Sequence, residues 1–184
     1  YFQRFGKEPF DSQHQGRGNP CKSCGLIKCN FRNSDDATLY PFNIPENALI
    51  SSVFNKMSAI LKDNKQKILE KEIITEEELG NIITKLQSLS QTISQSIYKY
   101  GIMTDPESQD KFFAYEVDGF GNQTFMEDPG YPSLMSLPFL GFVKEDDEIY
   151  EEIKDFRIII IILFLINSTN FTEVLNYRAF LNST

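Results

Sequence analysis

Two long amphipathic patterns, one from Asn43 to Leu61 and one from Thr75 to Tyr100, constrain this chain more than any other feature of its 184 residues. In the first, Leu49, Ile50, Val53, Phe54, Met57, Ile60 and Leu61 recur at the steps that gather side chains on one face of a helix, and Pro45 suits its first turn. The second opens on a Thr75/Glu78 capping-box pattern and carries Leu79, Ile82, Ile83, Leu86, Leu89, Ile93 and Ile97 until Gly101 stops it. A charged and polar stretch, Lys62 to Glu72, connects them. Two such helices with a short connection predict an antiparallel helical pair, the repeating unit of helical bundles and barrels.

Around that pair the texture changes. Residues 1–24 are rich in Gly, Pro, Gln and Asn and read as a loop or a ragged terminus. Between Lys111 and Gly130, the run Phe112, Phe113, Tyr115 and Val117 with Gly119, Gly121 and Gly130 predicts short strands and loops. Pro132 is expected to open a short helical segment that Pro138 interrupts, and Asp146 to Phe156 a further helix. The apolar run Ile158 to Ile166 is well short of the roughly 20 residues that cross a bilayer, and its flank at Asn167 to Asn170 is polar, so no membrane span is predicted.

Charge excludes one class of partner. A formal net charge of −8, with no Lys/Arg cluster, is the wrong balance for neutralising phosphates, so no nucleic-acid partner is expected. A neutral polar substrate is compatible. The opening Tyr1-Phe2-Gln3-Arg4 has no initiator Met and no basic segment followed by an apolar stretch; we expect the true N-terminus upstream and see no signal peptide. Sequons at Asn122, Asn167, Asn170 and Asn182 permit a secretory route without establishing one, and a cytoplasmic location is equally compatible. Nothing here speaks to oligomeric state.

Three groups of residues could carry chemistry. Cys21, Cys24 and Cys29 form C-x2-C-x4-C, but a closed zinc site needs four ligands, His14 is the sole histidine and no second CxxC exists. A cysteine-based zinc or redox module is therefore the least favoured reading, and no metal site is assigned. The second group is Phe31-Arg32-Asn33-Ser34-Asp35-Asp36. A partly buried pair of adjacent carboxylates tends to keep one proton, which is what a general acid needs, although such pairs more often cap helices or face solvent. The third runs from Tyr115 to Asn122 and on to Glu127-Asp128-Pro129. Acids and amides among aromatics suit a sugar, whose hydroxyls take hydrogen bonds while its apolar face packs on a ring. A calcium loop is disfavoured because the acids lack the alternate spacing of D-x-D-x-D-G.

The strings themselves go further. SDDATLYPFNIPENA (34–48), YEVDGFGN (115–122) and MEDPGYPSLMSLPFLGF (126–142) resemble, in order, the FRPSDDAxxYPFxIPxNA, YEVDGxGN and MDDxxxPSLLSLPYLG motifs of glycoside hydrolase family 125. The resemblance covers Gly25 to about Phe156. It implies an all-α fold, here a partial (α/α)6 barrel with short strands and loops near the active site. Residues 25–156 would be a piece of that catalytic domain, and 157–184 an atypical tail. The implied activity is metal-independent, inverting exo-hydrolysis of terminal α-1,6-linked mannose, with no cofactor and a mannose-containing oligosaccharide or glycan as partner. In that mechanism one carboxylic acid protonates the departing oxygen while a second carboxylate activates water on the opposite face. By motif, Asp35 is the expected general acid with Asp36 beside it, and Arg32, Asp36, Asp118, Asn122 and Asp128 are the expected substrate contacts.

Departures qualify the match. Asn33 stands where the family has Pro, and Glu127 replaces the first acid of MDD. The WLRDS, SPHT-like and HESFH motifs are absent, and the last of these holds the general base. The chain is therefore expected to be inactive alone; a non-catalytic carbohydrate-binding remnant is the alternative. Asn122 would line the sugar site, so we expect it to carry no glycan, and a glycan found there by peptide mapping would remove it from the site. Arg32 could instead pair with Asp35 or Asp36, while Asp118 and Asn122 could simply shape the turn around Gly119 and Gly121.

Overall fold

The computed structural model describes residues 12–128 and 130–153. The helical pair predicted from periodicity is present: α1 spans Ile44–Asp63 and α3 spans Glu76–Tyr100, with one extra turn, α2 (Lys65–Leu69), in the connection. Each long helix starts on its own side-chain cap. Asn43 accepts from the Glu46 amide at 2.9 Å ahead of α1, with proline in the first turn. Thr75 and Glu78 form the expected capping box of α3, and Gly101 follows its last turn with its amide on the Ile97 carbonyl. Caps of this kind are each worth about 1 kcal/mol.

The two helices run antiparallel. The Lys65 ammonium meets Glu76 at 2.6 Å at one end, and the middles are joined by reciprocal bonds from the Ser51 hydroxyl to the Ser90 carbonyl (2.9 Å) and from the Ser90 hydroxyl to the Ser51 carbonyl (2.8 Å).

The face that α1 buries differs from the one its apolar periodicity marks. Ile44, Ala48, Ser51, Ser52 and Ser58 are buried, while Val53, Met57 and Ile60 are exposed. On α3, Leu79, Ile83, Ile93 and Ile97 are buried as expected, but Ile82 and Leu89 are exposed. Small serines let the helices approach closely and hydroxyl-to-carbonyl bonds replace apolar contact, so the apolar stripes are left over for surfaces that the described residues do not cover.

The strands are short and set beside the ends of this pair. β1 (Phe42–Asn43), β4 (Glu116–Val117) and β5 (Gln123–Thr124) make one antiparallel sheet in the order β1-β4-β5, and β2 (Ile102–Thr104) pairs with β3 (Lys111–Phe113) in another. Phe42 lies opposite Val117 and Asn43 opposite Glu116, so the residues preceding α1 are stitched to a segment more than 70 positions away. The main core gathers Ile44, Ile93, Ile97, Phe113, Tyr115, Leu134 and Leu137, all buried, each side chain contributing about 1.5–3 kcal/mol when fully removed from water.

The expected short strands are present, and the described residues form one helical hairpin beside two small sheets. One expectation needs correction. Pro138 does not interrupt a helix: a 3-10 turn at Leu134–Ser136 precedes α4 (Leu137–Leu140), with proline in the first turn of α4. Pro there lacks only an amide hydrogen that no carbonyl needs. Helix is present over 148–153. The Ile158 to Ile166 run, the sequons at Asn167, Asn170 and Asn182, and residues 1–11 of the expected ragged N-terminus lie outside the described residues. Among those residues, no helix is long and apolar enough to cross a membrane.

Candidate active site

The loop between residues 31 and 38 is closed by its own backbone. Phe31 bridges Ala37, the Arg32 amide donates to the Asp36 carbonyl at 2.8 Å, and the Asp35 amide donates to the Arg32 carbonyl at 2.9 Å. So tight a turn places Asp35 at φ 70°, a left-handed conformation that a non-glycine residue adopts at a cost of roughly 1–2 kcal/mol and that Asp tolerates better than most. Asp35 is exposed at the tip and Asp36 is half-buried. The adjacent carboxylates therefore do not share a buried environment.

Two clamps hold this loop. Arg32 donates from Nε to Glu116 Oε1 at 2.6 Å, with its guanidinium 5.8 Å from the centre of the Tyr115 ring. The other oxygen of the fully buried Glu116 accepts from the Leu39 and Tyr40 amides at 2.8 and 3.1 Å. Arg32 thus spends its charge on Glu116 rather than on a surface bridge to its aspartate neighbours. On the far side, the Ser34 hydroxyl donates to Asp128 Oδ2 at 2.5 Å, and Asp128 also accepts from the Gly130 amide at 3.3 Å. A side chain on Gly130 would collide with the Asn33 amide, so the loops around residues 31–38 and 126–133 lie directly against each other.

Asp118 and Asn122 belong to a different arrangement. Asp118 Oδ1 accepts from the amides of Phe120 (2.8 Å), Gly121 (3.2 Å) and Asn122 (3.0 Å), and Oδ2 accepts from the Asn122 side-chain nitrogen at 2.6 Å. Burial pushes the Asp118 carboxyl up, but the bonds from Asn122, Phe120 and Gly121 together outweigh it and hold the group below the usual carboxylate range. Gly119, at φ 77°, has no room for a side chain against the Lys22 carbonyl. The turn-shaping role foreseen for this pair is what these bonds describe. The structure brings together Arg32, Asp36 and Asp128 around the Asp35 loop, and it places Asp118 and Asn122 in a self-contained turn.

Sequence reasoning counted Glu116 and Glu127 among the acids of the third group but assigned neither a particular role. Glu116 offered no signal, since strand alternation predicts that an acid between Tyr115 and Val117 faces solvent, whereas here it is fully buried. Glu127 is exposed by surface area, yet protein crowds its carboxyl. That crowding, partly offset by the Ser133 hydroxyl and the Met135 and Leu134 amides, pushes it up to about 7. The rings of Tyr131 and Phe139 are exposed.

The cysteines do not make a competing centre. Among the described residues no three His, Cys, Asp or Glu side chains are grouped to hold a metal ion. Cys29 donates from Sγ to the Phe31 carbonyl at 2.6 Å, and burial, reinforced by Glu46, pushes its thiol up to about 12.

Carboxyl groups on neighbouring loops beside a helical hairpin are compatible with glycoside chemistry. Comparison with known proteins narrows that class. The family of metal-independent alpha-mannosidases, GH125, matches residues 1–160, further toward the N-terminus than the motifs reach. The chain belongs to glycoside hydrolase family 125. It is 35% identical over 136 residues to the Meiotically up-regulated gene 157 protein of Schizosaccharomyces pombe (strain 972), covering 73% of this chain and 24% of that protein. Its structure is similar, at a TM-score of 0.73 and 28% identity, to a Streptococcus pneumoniae metal-independent alpha mannosidase in a non-productive complex with alpha-1,6-mannobiose; the similarity covers 83% of this chain and 34% of that one. The chain thus spans about a quarter of the curated relative and a third of the solved structure. The neighbour's fold is an (α/α)6 barrel.

Proposed function

We propose that this chain is the acid-bearing part of an inverting exo-α-1,6-mannosidase, acting on terminal α-1,6-linked mannose of an oligosaccharide or glycan. Asp35 is its general acid. The observation that carries the assignment is the mounting of the Asp35 loop. Clamped through Arg32 to Glu116 and through Ser34 to Asp128, it presents its left-handed tip residue outward, where a fixed carboxyl can meet a glycosidic oxygen. In this reading residues 25–156 are barrel and the base comes from a stretch outside this chain.

Arg32, Asp36 and Asp128 hold or border the reacting sugar. Asp118 and Asn122 act one step removed, by shaping their turn. The test is an assay on α-1,6-mannobiose of this chain and of a polypeptide that adds the base-bearing stretch. Release of mannose by the longer polypeptide only is expected; release by this chain alone would overturn the division of acid and base. The exposed rings of Tyr131 and Phe139 favour one other reading, a surface that binds sugar without cleaving it, in which case the longer polypeptide binds mannobiose and leaves it intact.

A further inference from the structure

We propose that the cleft bounded by α1, α3 and the turn after α4 binds a neutral oligosaccharide, at a place separate from the Asp35 loop. The cleft encloses about 430 Å³, within the usual range of about 300–1,000 Å³ for ligand pockets. None of its lining residues belongs to the loops at 31–38 or 126–133. Ser52 and Asn55, which line it from α1, lie 8 and 11 residues beyond Ile44, the first residue of that helix. At about 1.5 Å per residue they are roughly 12 and 17 Å along the axis from the end where β1 pairs with Glu116. The inference does not depend on Asp35 being the acid.

The chemistry of the lining selects the ligand. Gln87, Gln91 and Gln95 recur every fourth residue of α3 and so stand in a row on one face, with Ser94 beside them. Amides and hydroxyls both donate and accept, as the hydroxyls of a sugar do. Ser51 and Ser90 are spent on each other's carbonyls. Ser52, by contrast, is only 7% exposed, lines the cleft and has no hydrogen-bond partner among the described residues. Among those residues the side chains of Asn55, Gln87, Gln91, Ser94 and Gln95 are also without hydrogen-bond partners. An enclosed hydroxyl left unpaired costs stability that a ligand hydroxyl restores. Other ligands fit less well. No lining residue is acidic, which disfavours a cation. Lys56, the one cation of the lining, already donates to the Leu140 carbonyl at 2.9 Å, which disfavours an anion. The one large apolar side chain there, Phe142, is stacked on Tyr98 with centroids 5.8 Å apart at 20°. An apolar helix in the cleft would strip water from the amides and gain little contact in return.

Titration of the 184-residue chain with linear α-1,6-mannotriose, followed through the side-chain amide signals of Asn55, Gln87, Gln91 and Gln95 in heteronuclear NMR spectra, tests this. Those signals should shift together with one Kd. Asn55→Ala and, separately, Gln91→Ala should each weaken that Kd about fivefold, the usual effect of losing one neutral hydrogen bond. Both positions are exposed, so circular dichroism of the variants should match the parent chain. In a polypeptide that includes the base, neither variant should change mannose release from α-1,6-mannobiose by more than about twofold. If mannotriose binds without moving these signals, or binds both variants as tightly as the parent, the sugar sits elsewhere and the cleft proposal is wrong while the mannosidase reading stands. If the parent binds no mannotriose, the cleft proposal falls, and the mannosidase reading is judged separately by mannose release from the longer polypeptide. If tetraglycine moves the same signals and mannotriose does not, the cleft is a peptide site. If the signals respond in this chain but not in the longer polypeptide, the cleft is a seam that the added chain fills, and the proposal is overturned.

Discussion

Glu116→Ala should cost about 3–5 kcal/mol of folding stability, the loss typical when one member of a buried ion pair is removed and the other stays. The pair is well enclosed, with side-chain exposures of 10% for Arg32 and 0% for Glu116. Truncation would strand the guanidinium beside Tyr115 and leave the Leu39 and Tyr40 amides without the oxygen they share. Urea unfolding followed by circular dichroism measures the loss. Glu116→Gln, which keeps an acceptor for the amides and the shape of the side chain, should lose clearly less. The double variant Arg32→Met/Glu116→Leu should lose much less than the sum of its parts, since it removes the charges together. A cost below about 1 kcal/mol for Glu116→Ala would mean that water reaches the pair and that the clamp on the Asp35 loop is weak.

What could be read along the chain and what could not divides by sequence distance. The capping box at Thr75 and Glu78, Pro45 in the first turn of α1, and the stop at Gly101 are local, each decided within about four residues, and all three appear as read. Strands around 111–124 were visible from their aromatic and glycine texture. β1 was not, because Phe42 and Asn43 are extended only through pairing with Val117 and Glu116.

The burial of α1 was misread for a related reason. Periodicity shows which face is apolar, whereas the neighbour decides which face is covered, and α3 met α1 through serines. The site shows the same division. Its motifs were plain in the sequence, but the partner of Arg32 lies 84 positions away and that of Ser34 lies 94 away, so the clamps could not be read from the residues around the acid. Asp118 drew attention as an acid among aromatics and glycines, and those same glycines are why its oxygens turn to their own loop.

The largest effect on activity should come from Asp35. In a polypeptide that includes the base, Asp35→Asn should lower kcat on α-1,6-mannobiose by roughly 10²–10⁴, the range for losing a positioned general acid, whereas Glu127→Gln should cost much less. Glu127 is the rival because its surroundings favour the protonated form, its carboxyl being pushed up to about 7 by desolvation, and because it opens the loop on which Asp128 holds Ser34.

The two roles separate by pH. A carboxyl raised on folding stabilises the protein fully below its ordinary range, and that contribution is lost as pH rises through its folded value. The Tm of the parent chain should therefore fall between about pH 5 and pH 7 in a component that Glu127→Gln abolishes and Asp35→Asn leaves in place. If Glu127→Gln instead produces the larger loss of kcat and also removes the alkaline limb of the activity profile, the proton donated to the leaving sugar comes from Glu127. Asp35 would then be the tip of a positioning loop, held in its left-handed turn to shape the site rather than to supply the proton.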